Sequence, residues 1–171
     1  MAYPPVVVVD EHDSVIGAEM LAKVWEKGLY HRIVYILVED ESGRILLQRR
    51  SANMELYPNC WDDSAAGHVD EGDTYKSAAM REVEEELGLT DVTLEEVATH
   101  RTNEEYQGRK LNRFNKLYRA RVASDTQFQA PADEVTEVRW FTLAEIRKIA
   151  AEHPDQVTGG LILNLEYYYP A

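Results

Sequence analysis

Residues 67–89 read GHVDEGDTYKSAAMREVEEELGL. Ala79, Val83 and Leu87 recur at four-residue spacing, with Met80 in the same stripe, so the spacing predicts an amphipathic helix over Thr74–Leu87. Asp73 is placed to cap its N-terminus, where a short acceptor meets free backbone N–H groups and the positive end of the helix dipole. Gly88 is placed to end it in the left-handed conformation. On this helix Glu82 precedes Glu85 and Glu86 by three and four residues, so all three project from one side, opposite the apolar stripe. Like charges at that spacing cost about 0.2–0.5 kcal/mol per pair in a bare helix. Cations on that face remove the cost. Carboxylate oxygens without sulfur or imidazole select hard ions, Mg²⁺ or Mn²⁺. The plain alternative is a solvated acidic face. The wider spacing sets this run apart: Gly67 stands fourteen residues before Arg81, Asp73 falls between them, and Gly88-Leu89 closes the segment.

The flanks alternate strand and helix signals without a strict βαβ rhythm. Val6–Val9 is a β-branched run that breaks at Asp10–Ser14. Ala18–Lys27 has helical spacing with Gly28 as its stop. Arg32–Glu39 and Arg44–Arg49 form a hairpin about Asp40–Gly43, and Ser51–Cys60 is a polar loop carrying Pro58. Beyond the Thr74–Leu87 helix, Val92–His100 and Leu111–Val122 read as strands joined by a polar loop, Thr102–Lys110. Val135–Phe141 is a strand, Leu143–His153 a helix ended by Pro154, and Gly159–Tyr168 a further helix. The mixture predicts a mixed β-sheet with helices packed against it. No repeat or linker divides the chain. The expectation is one domain over residues 1–171, with residues 1–30 as an N-terminal hairpin and helix extension.

Composition narrows the function. The 171 residues are 44% hydrophobic and 29% charged, an ordinary globular mix. Lysine and arginine number 18 against 31 acidic residues, for a net charge of −13. A chain this acidic is not expected to track a nucleic-acid backbone, which needs clustered positive charge. No apolar run approaches the roughly 20 residues that cross a bilayer. The start lacks the basic region and cleavage site of a signal peptide. Cys60 is the only cysteine, which excludes an internal disulfide and a cysteine-only metal cage. A reducing cytoplasm is the expected compartment.

Gly67-x5-Asp73-x7-Arg81-Glu82-Val83-x-Glu85-Glu86-x-Gly88-Leu89 resembles the Nudix box, with Asp73 where the family pattern has Glu. The resemblance implies an α/β/α sandwich, a loop–helix–loop that binds Mg²⁺ or Mn²⁺, and attack by water on the diphosphate of a nucleoside diphosphate linked to another group. Carried over by position, Glu82 and Glu86 are metal ligands, and Glu85 is a further ligand or the base for the attacking water. The Gly67 carbonyl is an additional ligand, and Arg81 orients the glutamates by a charge-assisted hydrogen bond. Asp73 is assigned a structural or supporting part. Diphosphate cleavage needs charge neutralisation and in-line positioning, which clustered Mg²⁺ supplies.

Val8–Gly67 also resembles isopentenyl-diphosphate isomerase, on VDEHDSVIG, GLYHR, LLQRRS and WDDSAAGH. That enzyme places its catalytic cysteine before the Gly-His pair, where this chain has Ala66. His31 and His68 resemble survivors of its metal site, but Lys110–Asn115 lacks the downstream acids. The reading is therefore an isomerase-like protein that hydrolyses diphosphates. Isomerisation and a non-catalytic nucleotide-binding module are the alternatives. Arg49 and Arg50 are candidates for holding substrate phosphates. Glu104, Glu105 and Glu134 are later-loop carboxylates, any of which would assist as ligand or base. Trp61 and Tyr106 are either base-stacking or core residues, and His68 either touches phosphate or is a satisfied loop histidine. Tyr167–Tyr169 pack on the body or on a second subunit, so monomer and homodimer both stay open.

Overall fold

A computed structural model describes residues 3–171. Its centre is β3 (Tyr30–Asp40), eleven residues whose apolar run is buried on both faces. It runs parallel to β8 (Arg109–Val122) and antiparallel to β1 (Val6–Val9), β4 (Ile45–Arg50) and β6 (Ala65–His68). A second hairpin strand, β2 (Val15–Glu19), extends the β1 edge. On the other side β4 pairs with β5 (Trp61–Asp62) and β9 (Val135–Phe141), and β8 pairs with β7 (Glu95–Tyr106). Among the described residues the result is one mixed nine-stranded sheet.

Period-2 alternation along β3 splits the core into two layers. Val34, Ile36 and Val38 face α2 (Tyr75–Leu87) and its Ala78, Ala79, Val83 and Leu87. Ile33, Tyr35 and Leu37 face the opposite layer. That layer holds Ile146 of α3 (Leu143–Glu152) and Leu161, Leu165 and Tyr168 of α4 (Gly159–Tyr168). The short α1 (Leu21–Lys27) closes a third cluster, where Val24 and Trp25 meet Val6, Val8, Leu56 and Leu111. Among the described residues no helix is long and apolar enough to cross a membrane.

Several boundaries differ from the sequence reading. Thr74, not Asp73, caps α2: its side chain accepts from Ser77 N–H and forms a reciprocal capping box with Ser77. Asp73 accepts instead from the Ser77 hydroxyl at 2.8 Å and from Arg81 Nε at 3.3 Å. The expected helix from Ala18 starts at Leu21, because Ala18 and Glu19 are taken into β2. The expected loop Thr102–Lys110 is a continuous hairpin. Thr102–Tyr106 pair across to Arg109–Arg113, and the turn shrinks to Gln107 and Gly108, both at positive φ (50° and 78°). Backbone pairing needs no apolar side chains, so polar strand residues there imitate a loop. Ser51–Cys60 is irregular as expected, and Gly88 ends α2 at φ 71°. Of the three tyrosines, Tyr168 is buried and donates to the carbonyls of Tyr118 and Tyr35 at 2.9 and 3.2 Å. Tyr169 bonds Glu39, while Tyr167 stays exposed and stacks on His100.

Thr74→Ala removes an acceptor that satisfies an orphan N–H of α2 and is expected to cost about 1 kcal/mol. Urea denaturation reads this as a lower midpoint at unchanged slope.

Candidate active site

Gly67, in β6, lies against the middle of α2. A Cβ built on Gly67 would land inside the carboxylate of Glu82. The bare glycine therefore lets that carboxylate sit on the strand. Glu82 and Glu86 are each only 8% exposed. The buried residues of α2 are Ala78, Ala79, Glu82, Val83, Glu86 and Leu87. The two glutamates thus flank the apolar stripe on its buried side, contrary to the expected position opposite it. Glu85 does face solvent, with its side chain 60% exposed. The three carboxylates therefore differ in exposure, with Glu82 and Glu86 buried and Glu85 open to solvent.

Arg81 organises this surface. Its Nη1 donates to Glu82 Oε1 at 2.6 Å and lies 3.5 Å from Glu85 Oε2. Its Nη2 donates to the His68 carbonyl at 3.0 Å and lies 3.2 Å from Asp70 Oδ2. Together with the Asp73 bond, one guanidinium ties β6, the following turn and the first half of α2 together. Glu86 is held separately: its Oε2 accepts from the Ala66 N–H at 3.0 Å and from Gln48 Nε2 at 2.9 Å. Burial pushes the Glu82 carboxyl up to about 7, with Arg81 opposing the rise and Glu85 adding to it. Burial, then repulsion from Glu82, pushes Glu86 well above the carboxylate range. Two buried carboxylates that resist ionising are an electrostatic load that a cation would relieve.

The donor set fits a hard divalent cation that takes one or two carboxylates and the Gly67 carbonyl and completes its shell with water and substrate oxygens. Among the described residues no three His, Cys, Asp or Glu side chains are grouped as a ready-made cage. Of the later glutamates, Glu134 feels the charges of Asp133 and Glu85 and acts on Glu86; burial raises its carboxyl. Glu104 and Glu105 belong to β7, not to a loop. Arg50 donates to the Leu56 carbonyl at 2.9 Å and to Asp62 Oδ2 at 3.0 Å, and Arg49 donates to the Asn59 carbonyl at 3.2 Å. Both arginines thereby fasten the 51–60 loop. Trp61 is buried edge-on against Phe141 at 4.9 Å, and Tyr106 packs on Tyr57 at 4.4 Å. The buried Cys60 thiol donates to the Asp155 carbonyl at 3.3 Å, and burial pushes its pKa up.

The pattern of the NUDIX domain family matches residues 29–158. The chain belongs to the Nudix domain family. An uncharacterized Nudix hydrolase of Pseudomonas aeruginosa is 34% identical over 135 residues, which are 78% of this chain and 75% of that protein. Isopentenyl-diphosphate Delta-isomerase 2 of Photorhabdus laumondii is 30% identical over 161 residues, 89% of this chain and 85% of that protein. The crystal structure of DR0079 from Deinococcus radiodurans superimposes with a TM-score of 0.79 at 26% identity, covering 96% of this chain and 99% of that one. The Nudix fold and a diphosphate-bond hydrolase of this family follow.

Sequence reasoning missed Gln48 and Arg113. Gln48 alternates with Leu47 and shares a face with Leu46, so strand periodicity in β4 puts its amide toward α2. Arg113 sits between Leu111 and Asn115 on the buried face of β8, a position that only the pairing of β8 with β3 turns inward.

Two outcomes check the site. Gly67→Ala is expected to displace the Glu82 carboxylate and weaken Mn²⁺ binding by roughly tenfold or more, read by titration with circular dichroism as the fold control. The Glu82 carboxyl lies above its ordinary value of 4.5, so the folded state holds more protons than the unfolded chain between about 4.5 and 7. Stability from this group is therefore full at low pH and falls as pH rises through that window. With chelator present, melting at pH 5 and pH 8 is expected to fall more steeply for the wild type than for Glu82→Gln, and Mg²⁺ is expected to restore the wild type at pH 8.

Proposed function

We propose that the chain hydrolyses the diphosphate bond of a nucleoside diphosphate derivative with Mg²⁺, or Mn²⁺ in its place. The preferred substrate class is a nucleoside 5′-di- or triphosphate, cleaved to the monophosphate. The observation that carries this reading is the pair of buried glutamates, Glu82 held against Gly67 and Glu86 against the Ala66 N–H of the same strand. When bound there, the cation neutralises the substrate's diphosphate and lowers the pKa of water. Glu82, Glu86 and the Gly67 carbonyl would hold it.

The chain's own groups do the positioning. Arg81 fixes the Glu82 carboxylate by a charge-assisted bond. Ala66 N–H and Gln48 fix Glu86, so neither carboxylate must reorganise when substrate arrives. Glu85 is exposed and only loosely paired with Arg81, which frees it to take a proton from the attacking water. Glu134, which feels the Glu85 charge, is the candidate for a second acceptor. Arg49 and Arg50 would meet substrate phosphates at the mouth of the 51–60 loop.

Isomerisation is the second reading, favoured by the isomerase relative. It needs an acid and a base on opposite sides of a carbon skeleton. Ala66 supplies neither, and Cys60 is turned into the Asp155 carbonyl. Hydrolysis is therefore preferred over isomerisation. The retained glutamates favour it over a non-catalytic binding module.

Glu82→Gln and Glu86→Gln are each expected to lower kcat by on the order of 10²–10⁴ with the fold kept. A phosphate-release screen over nucleoside di- and triphosphates, sugar nucleotides and dinucleotides with Mg²⁺ reads both the effect and the substrate. Full turnover in both variants overturns the assignment. Conversion of isopentenyl diphosphate by the wild type would establish the isomerase reading instead.

A further inference from the structure

Across β6 from the box glutamates, four polar side chains gather, each with one buried nitrogen left without a partner, although His31 Nδ1 meets the Leu29 carbonyl at 3.2 Å. Trp25 comes from α1, His31 from β3, His68 from β6 and Arg113 from β8. The Trp25 Nε1, His31 Nε2, His68 Nε2 and Arg113 Nε atoms are all buried without a hydrogen-bond partner among the described residues. His31 and Arg113 are register partners in the parallel β3–β8 pair. The two imidazoles stack at 5.4 Å, and the Trp25 ring lies 6.4 Å from His68.

Arg113 is the informative member. It is 7% exposed, and among the described residues it forms no ion pair. Other arginines of the molecule do have counter-charges: Arg50 pairs with Asp62, Arg81 with Glu82 and Arg109 with Glu55. The sequence holds 31 acidic residues, so carboxylates are not scarce. Burying a guanidinium without a counter-charge is costly. An indole N–H and a guanidinium N–H are donors only, so what they lack is an acceptor. Arg109 lies over the Trp25 ring at 5.1 Å and adds positive charge. Glu104 shares this face of the hairpin but comes within ion-pair distance of no described arginine or lysine. Two histidines alone would suit a metal cation. The adjoining Arg113 charge opposes one, just as it adds to burial in pulling His31 down to about 4.

We propose that Trp25, His31, His68 and Arg113 form a second oxyanion pocket that takes a phosphoryl group of the substrate beyond the diphosphate held at the box. Trp25 and Arg113 donate to its oxygens. The imidazole Nε2 atoms accept from a protonated phosphate oxygen. The pocket begins one residue past Gly67, and the His68 carbonyl is already bound to Arg81, so the two sites share a strand. The inference deepens the proposed hydrolysis and rests on it only for the identity of the anion. Its consequence is selection for substrates with a further phosphoryl group, a nucleoside triphosphate over a sugar nucleotide.

The test uses the full chain with chelator present, so it does not depend on turnover. Inorganic phosphate is titrated while the indole N–H resonance of Trp25, assigned by its loss in Trp25→Phe, is followed by NMR. The expected result is a saturable shift and a rise in Tm with phosphate. Both are to be lost, or moved at least ~10-fold in concentration, in Arg113→Met, which is itself to melt no lower than the wild type because an unpaired buried charge is gone. If Arg113→Met does not fold, Arg113→Gln, which keeps donors and drops the charge, is to weaken phosphate by the same factor. An unchanged Trp25 resonance up to high phosphate and pyrophosphate overturns the pocket. A shift with Zn²⁺ alone and none with phosphate overturns it in favour of a metal site. An intact phosphate response in a chain that hydrolyses nothing would defeat the proposed hydrolysis and leave the pocket standing.

Discussion

Two carboxylates are carried into the interior of this protein, and the arrangement around the box answers that cost. Glu82 and Glu86 lie on the same side of α2 as the residues that bind the helix to the sheet. Packing α2 therefore buries charge as well as hydrocarbon. Arg81 offsets part of the penalty for Glu82, and the Ala66 amide and Gln48 offset part for Glu86. Gly67 follows from the same constraint, since any side chain there would take the space that the Glu82 oxygens need. The raised carboxyls mark what is left uncompensated, as groups prepared for a positively charged guest.

The two faces of the sheet divide the work. One carries α2 and the acidic pair; the other carries α3, α4 and a separate set of polar side chains. Asp62 on that second face accepts from Arg50 and from the Thr158 hydroxyl, at 3.0 and 2.8 Å, which links the loop after β4 to the cap of α4. Asp63 beside it is fully buried, and its burial, with the Asp62 charge, holds its carboxyl well above the usual range while Asn164 donates to it at 3.0 Å. Such bonds place the 51–60 loop over the third core cluster without regular secondary structure.

What was readable in the sequence is what repeats locally. The four-residue stripe of α2, the stop at Gly88, the β3–β4 hairpin and the spacing from Gly67 to Leu89 all depend on neighbours within a few turns. The cap falls on Thr74 rather than Asp73 because both are good caps and only backbone geometry chooses between them. Glu82 and Glu86 were placed on the outer face because a helical wheel assigns charge to solvent, whereas tertiary packing drew them in. Thr102–Lys110 looked like a loop because its strand partners β8, and pairing partners leave no mark on composition. Gln48 and Arg113 escaped notice for a related reason. Each is one polar residue among others in its strand, marked out only by facing inward, and what it faces lies in a segment remote along the chain.

The parallel pairing of residues 31–40 with 113–122 has a consequence for how the protein is made. These segments are separated by the whole box, so the central ladder cannot form until most of the polypeptide has left the ribosome. In the interval Ile33–Val38, six consecutive apolar residues with strong strand preference, lacks its β8 neighbour and keeps that edge unpaired. The late-emerging helix α4 then seals the sheet, when the Tyr168 hydroxyl reaches backbone oxygens on both partners of that ladder. Productive assembly thus depends on the nascent chain surviving a delay during which one edge of its stickiest segment is uncovered.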